Sequence, residues 1–87
     1  MNIREKFELS GGITILACVG YDSKLDLIGK KFSLVLGEDV RQTLTISGER
    51  KMLNQKSNID QRAFEISDVV LLSQEEVQSG EWQLVSA

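Results

Sequence analysis

The sequence predicts an all-β chain: a small closed or partly open antiparallel β-barrel of about six strands with one short helical turn. Apolar and polar residues alternate with period two in several short stretches, as in strands with one buried face. Turn signals rich in glycine and serine recur about every 8–12 residues. No strand–helix–strand alternation is present, and no internal repeat stands out. At 87 residues the chain fits one β-barrel domain, residues 1–87.

Residues 1–6 are polar and read as frayed or as an edge. Phe7 and Leu9 alternate with Glu8 and Ser10 as a short strand. Ser10-Gly11-Gly12 is a turn signal. Residues 13–21 are the longest β-prone run. They are apolar on both parities in the middle, as expected of a strand covered on both faces. Gly20 marks a bulge or a close backbone approach. Asp22-Ser23-Lys24 is a loop, after which Leu25, Leu27 and Ile28 lead to Gly29. Phe32, Leu34 and Leu36 alternate with Ser33 and Val35, and Gly37-Glu38-Asp39 ends that strand.

In residues 43–47, Leu44 and Ile46 take the inward phase and Thr43 and Thr45 the outward one. Ser47-Gly48-Glu49 is a turn or bulge signal. Residues 49–62 are polar. A strand end near Lys51-Met52-Leu53 and then a loop are expected there, with a short helix as the other option. Residues 63–72 read as the next strand, with an apolar centre at Val69-Val70-Leu71-Leu72. On that strand's phase Asp68 would point inward unless a bulge flips it. Ser73 and Glu76 fit a capping box, and Gly80 is a natural stop for the one helical turn that has room to form. Residues 81–85 make the last strand. No proline guards an edge, which suits a closed barrel.

Composition removes several mechanisms. The chain has no histidine, which excludes Ser–His and Cys–His nucleophilic pairs. Cys18 is the only cysteine, so neither an internal disulfide nor a structural zinc site can form. It sits within Ile15-Leu16-Ala17-Cys18-Val19 and reads as a buried, inert thiol. The lack of a disulfide fits a cytoplasmic setting. The start, MNIREKFELSGG, has no apolar core of the signal-peptide kind. No apolar run approaches the roughly 20 residues of a membrane span, so no membrane partner is expected. The net charge of −3 argues against a bulk electrostatic hold on nucleic acid, and no DNA partner is expected. No cofactor or metal is expected, and the chain reads as non-enzymatic.

Three stretches carry a family resemblance. Gly12-Ile13-Thr14-Ile15-Leu16-Ala17 is a glycine-led strand with a threonine and small residues. Leu27-Ile28-Gly29-Lys30-Lys31-Phe32-Ser33-Leu34 is a hydrophobic–glycine–charged–charged–hydrophobic turn. Val70-Leu71-Leu72 with Glu75-Glu76-Val77-Gln78-Ser79-Gly80-Glu81-Trp82-Gln83-Leu84 joins an acidic helical turn to a glycine-led strand. In this order they resemble the β-barrel second domain of elongation factor Tu, shared by translation GTPases. The resemblance implies a barrel and, at most, a contact with tRNA or ribosomal RNA. The chain departs from that family in having Lys30 and Lys31 where acidic residues are usual. It also lacks the basic residue common between the first glycines, so no RNA-contacting residue carries over. It has no GxxxxGK phosphate loop either.

The candidate binding residues are Arg41, Arg50, Lys51 and Arg62, the densest basic material, with Trp82 and Tyr21 as amphipathic aromatics. The basic group would hold RNA, a phosphate or an acidic partner. Glu49 and Asp60 dilute it, and scattered solvated charge is the simpler reading. Trp82 and Tyr21 either face a partner or seal the end of a small core. Phe7, Phe32 and Phe64 lie on inward phases, which leaves no stacking platform. The paired acids Glu75-Glu76 and Glu38-Asp39 read as solvated. The expected function is a small binding module with a protein partner, and RNA contact is the alternative. A small-ligand site in the barrel mouth is a third option. A homodimer stays open if an unpaired edge such as residues 43–47 exists.

Overall fold

The computed structural model describes residues 1–20, 26–50 and 61–87. Among these, six strands and one helix follow in the order β1 (Asn2–Leu9), β2 (Ile13–Val19), β3 (Lys31–Leu36), β4 (Asp39–Arg50), β5 (Arg62–Ile66), α1 (Gln74–Gln78) and β6 (Trp82–Ser86). The strands form a closed barrel in the ring order β1-β2-β5-β4-β3-β6, with every pairing antiparallel. The expected fold class is therefore present. Because the ring closes, residues 43–47 are no free edge: Thr43 pairs with Ser33 on one side, and Ile46 pairs with Ile66 on the other.

The interior is filled by the inward phase of each strand. Ile3, Leu16, Cys18, Phe32, Leu34, Leu44, Ile46, Phe64, Ile66 and Leu84 are all essentially inaccessible. In β2 the outward residues Ile15 and Ala17 are buried as well, as the double-parity apolar run predicts.

The ring order dictates what covers the two ends. β5 and β6 are three places apart in a six-membered ring, so their connection must cross an open end of the barrel. Residues 67–81 do this. We call residues 67–73 the strap. Val70 and Leu72 of the strap and Val77 of α1 enter the core cluster from above. β2 and β3 are likewise opposite, and Leu27, on the link between them, is buried in the core from the other end. There Lys30 N–H donates to the Leu27 carbonyl at 3.1 Å, and Gly29 takes a φ of +83°. This is the turn that needs glycine at its third position.

Three bulges adjust the strands. The β1–β2 register slips between Ile3 and Glu5, which leaves Arg4 as the extra residue. The slip reverses the phase of the rest of β1. Phe7, expected inside, stands outside and is 45% exposed, while Lys6 lies opposite the buried Leu16. The same strand corrects the reading of residues 1–6 as frayed. Arg4 and Glu5 are exposed, Ile3 is fully buried and Lys6 turns in towards the mouth, and Asn2, Ile3, Glu5 and Lys6 pair with β2. A second bulge at Ser47 makes Ser47-Gly48-Glu49 part of a continuous 12-residue β4 rather than a turn. The third is at Arg41, where Leu34 pairs with Gln42 but Val35 with Val40.

The strand expected over residues 63–72 stops at Ile66. Beyond it the chain leaves the sheet: residues 67–69 are all exposed and burial alternates only from Val70 onward, so Asp68, although on the phase of Ile66 and Val70, is exposed and no inward carboxylate arises. Gly20 has a φ of +91° with open space around it, so it serves chain direction rather than a close approach. The capping box forms as predicted: the Ser73 hydroxyl accepts from Glu76 N–H at 3.1 Å, and the Glu76 carboxylate accepts from Ser73 N–H at 3.0 Å. Gly80 ends that turn at a φ of +73°. The strand end expected at Lys51-Met52-Leu53 lies outside the described residues.

Candidate functional site

The strap is held to the barrel mouth by side chains. Gln42 points into the mouth from β4, and its amide bridges two strap residues. Nε2 donates to the Val69 carbonyl at 2.9 Å, and Oε1 accepts from Leu71 N–H at 2.6 Å. One side-chain amide thus supplies the donor and acceptor that a neighbouring strand would have offered. Lys6 donates from Nζ to the Leu72 carbonyl at 2.6 Å and pairs with Glu8 at 3.0 Å. Asp68 accepts from Thr45 N–H at 2.9 Å.

Arg41 finishes the clamp. As the bulge residue it is free of the β3 ladder, which re-aims its side chain. Its guanidinium donates to the Leu71 carbonyl at 2.9 Å, pairs with Glu76 at 2.7 Å and lies 4.2 Å over the Trp82 ring. Hydrogen bonding from Arg41, reinforced by the Ser73 N–H, holds the Glu76 carboxyl down at about 2. The same contact raises the Arg41 guanidinium.

With its inner face tied down, the strap turns Val69 and Leu71 outward. They are 79% and 55% exposed. Val40, at the adjoining start of β4, is also exposed. Around them stand the exposed carboxylates of Glu8, Glu38, Asp39, Asp68, Glu75 and Glu81. Of the basic side chains near this end, Lys6 and Arg41 are both committed to glutamates, while Arg4 stands to one side, against Gln74, Val77 and Gln78 of α1. The mouth is therefore acidic, with an aliphatic crest.

The sequence-derived candidates fall in different places. Arg41 and Trp82 meet at the strap-covered mouth, and Trp82 is buried there as a seal. Arg50 and Arg62 lie at the other end: Arg50 is nine residues along β4 from Arg41, or roughly 30 Å of strand, and Arg62 opens β5 next to Ala63, the partner of Arg50. Arg50 pairs with Glu65 at 2.7 Å. Arg62 is buried, grips Glu49 through two bonds of 2.9 and 2.6 Å, and stacks over Phe64. Tyr21 and Lys51 lie outside the described residues. The exposed strap residues were not singled out by the sequence. Their one signal was the run Val69-Val70-Leu71-Leu72, whose alternate members face out.

Burial pushes the Cys18 thiol up to about 12, against a smaller opposing pull from the N-terminal ammonium, so at neutral pH it is a protonated core group. Among the described residues no three acidic or cysteine side chains gather as a metal site, and no helix is long and apolar enough to cross a membrane. Comparison with family models, curated proteins and solved structures finds no match for this chain.

Proposed function

We propose that this chain is a non-enzymatic binding module that docks a protein through the strap-covered mouth of the barrel. The exposure of Val69 and Leu71 carries the reading. Clustered aliphatic side chains held rigidly in water mark interaction surfaces. Here four side chains hold them: Gln42, Arg41, Lys6 and Asp68. The surrounding carboxylates repel phosphate, which favours a protein over RNA. The RNA alternative, which the translation-factor resemblance motivates, calls for a shared basic face. Arg41 lies far from Arg50 and Arg62, and each of the three pairs with a glutamate.

Affinity capture from lysate, with and without nuclease, tests the reading when run beside the Val69→Ser/Leu71→Ser double variant. The expected result is a protein that survives nuclease and is lost with the double variant. Capture that vanishes with nuclease, and that the double variant retains, overturns the reading.

A further inference from the structure

Beside the strap the barrel wall is split. β5 pairs with β2 only as far as Thr14 opposite Ile66, while β2 and β1 run on to Ile13 and Leu9. The chain swings away over the mouth at residues 67–68. A groove of about 220 Å³ opens between the β1–β2 hairpin tip and the strap, lined by Glu8, Leu9, Ile13, Thr14, Asp68 and Val69 among others. Resting on the protein-binding reading above, we propose that this groove takes an extended segment of a partner protein that alternates aliphatic and basic side chains.

Three features of the groove specify that chemistry. Its lining combines apolar Leu9, Ile13 and Val69 with two carboxylates, Asp68 and the Lys6-paired Glu8, so it matches aliphatic groups flanked by positive charge. Its volume falls below the roughly 300–1,000 Å³ of sites that enclose compact ligands, which leaves room for side chains of a chain lying along it. Its strap edge also offers backbone. In an extended segment, successive residues point their N–H and C=O groups to opposite sides. Val69 and Leu71 bond Gln42, and Leu72 bonds Lys6 on the opposite, β1, side. Val70 shares the parity of Leu72, and among the described residues neither its N–H nor its carbonyl has a hydrogen-bond partner. An added strand takes just such a pair of groups.

The test is an amide-resolved NMR titration of the full chain with a capped peptide alternating lysine and valine. Two control peptides replace every lysine by glutamate or every valine by serine. The lysine–valine peptide is expected to shift the Leu9, Ile13, Val69 and Val70 amides and to slow exchange at Val70, while both controls leave them in place. Asp68→Asn removes one charge but keeps an oxygen for Thr45 N–H, and it should weaken binding by about two- to fivefold.

Equal binding of the lysine–serine peptide, shifts centred on Arg50 and Arg62, or no shift at millimolar peptide overturns the proposal. So do concentration-dependent shifts of the same amides without peptide. Those would seat a second copy there, whose exposed Ile28 and Lys30 have the matching chemistry. A negative titration beside a captured protein that the strap double variant loses would leave the docking reading standing and remove the groove alone.

Discussion

At the scale of single residues, Arg41 and Glu76 do several jobs at once. Glu76 completes the capping box of α1, and Arg41 ties that helix turn to the strap and to Trp82. Hydrogen bonding to Arg41 lowers the Glu76 carboxyl from an ordinary 4.5 to about 2 in the folded chain. A carboxyl depressed by folding contributes stability above its unfolded pKa, and that contribution drains as pH falls through the folded one. The pair should therefore stabilise fully above about pH 5 and lose its effect between 4.5 and 2. Glu76→Gln keeps the cap, since glutamine also fills that position, and removes only the charge. Melting temperatures should differ most between the two proteins at pH 5–7 and converge towards pH 2. A gap that persists at pH 2 would mean that the lost stability was not ionic. Neither role of Arg41 was legible from sequence, because its pairing with Glu76, 35 positions away, depends on a bulge that period-two counting cannot locate. Ser73 and Glu76 were legible, because a capping box needs only residues three apart.

At the scale of elements, the strap shows how a strand-like sequence leaves a sheet. Val69 to Leu72 form a continuous aliphatic run of strand composition, and nothing in that run marks an end of β5 at Ile66. The reason is topological: β5 must reach β6 across the mouth, so it stops pairing and its side chains plug the opening. Gln42 stands in for the missing ladder. Gln42→Ala should cost about 1–3 kcal/mol, because two backbone groups of a half-buried segment lose their partner. The Leu71 amide should lose protection from hydrogen exchange, while amides of β2 keep theirs. Gln42→Glu separates the two bonds: it still accepts from Leu71 N–H but cannot donate to Val69. Unchanged Leu71 exchange in Gln42→Ala would show that the strap is held by burial of Val70 and Leu72 alone. The strands themselves were the most legible elements, because burial on one face imposes alternation. The exceptions lie where Arg4 resets the phase and sends Phe7 outside.

At the scale of the molecule, barrel closure depends on its weakest seam. β1 meets β2 through seven register pairs, but it meets β6 through one, Asn2 with Gln83. Two bonds between Met1 and Leu84, both 2.9 Å, complete that junction. The closing contact thus joins residues 83 positions apart and forms only once both ends of the chain are in place, which makes it costly in chain entropy. Local opening should begin there. β6 contains its own control. Leu84 N–H donates across the seam to Met1, and Ala87 N–H donates to Lys31 of β3. By strand alternation Gln83 and Val85 also face β3. Native-state hydrogen exchange should find Leu84 opening at a lower free energy than Gln83 and Val85 on the same strand. Acetylating the N-terminal amine removes the charge and part of the donor capacity that Met1 offers the Leu84 carbonyl, and should widen that difference. Equal protection of all three amides would mean that β6 leaves the barrel only as a whole, with the seam as firm as the β3 ladder. The barrel would then open cooperatively rather than unzip from the junction of its ends.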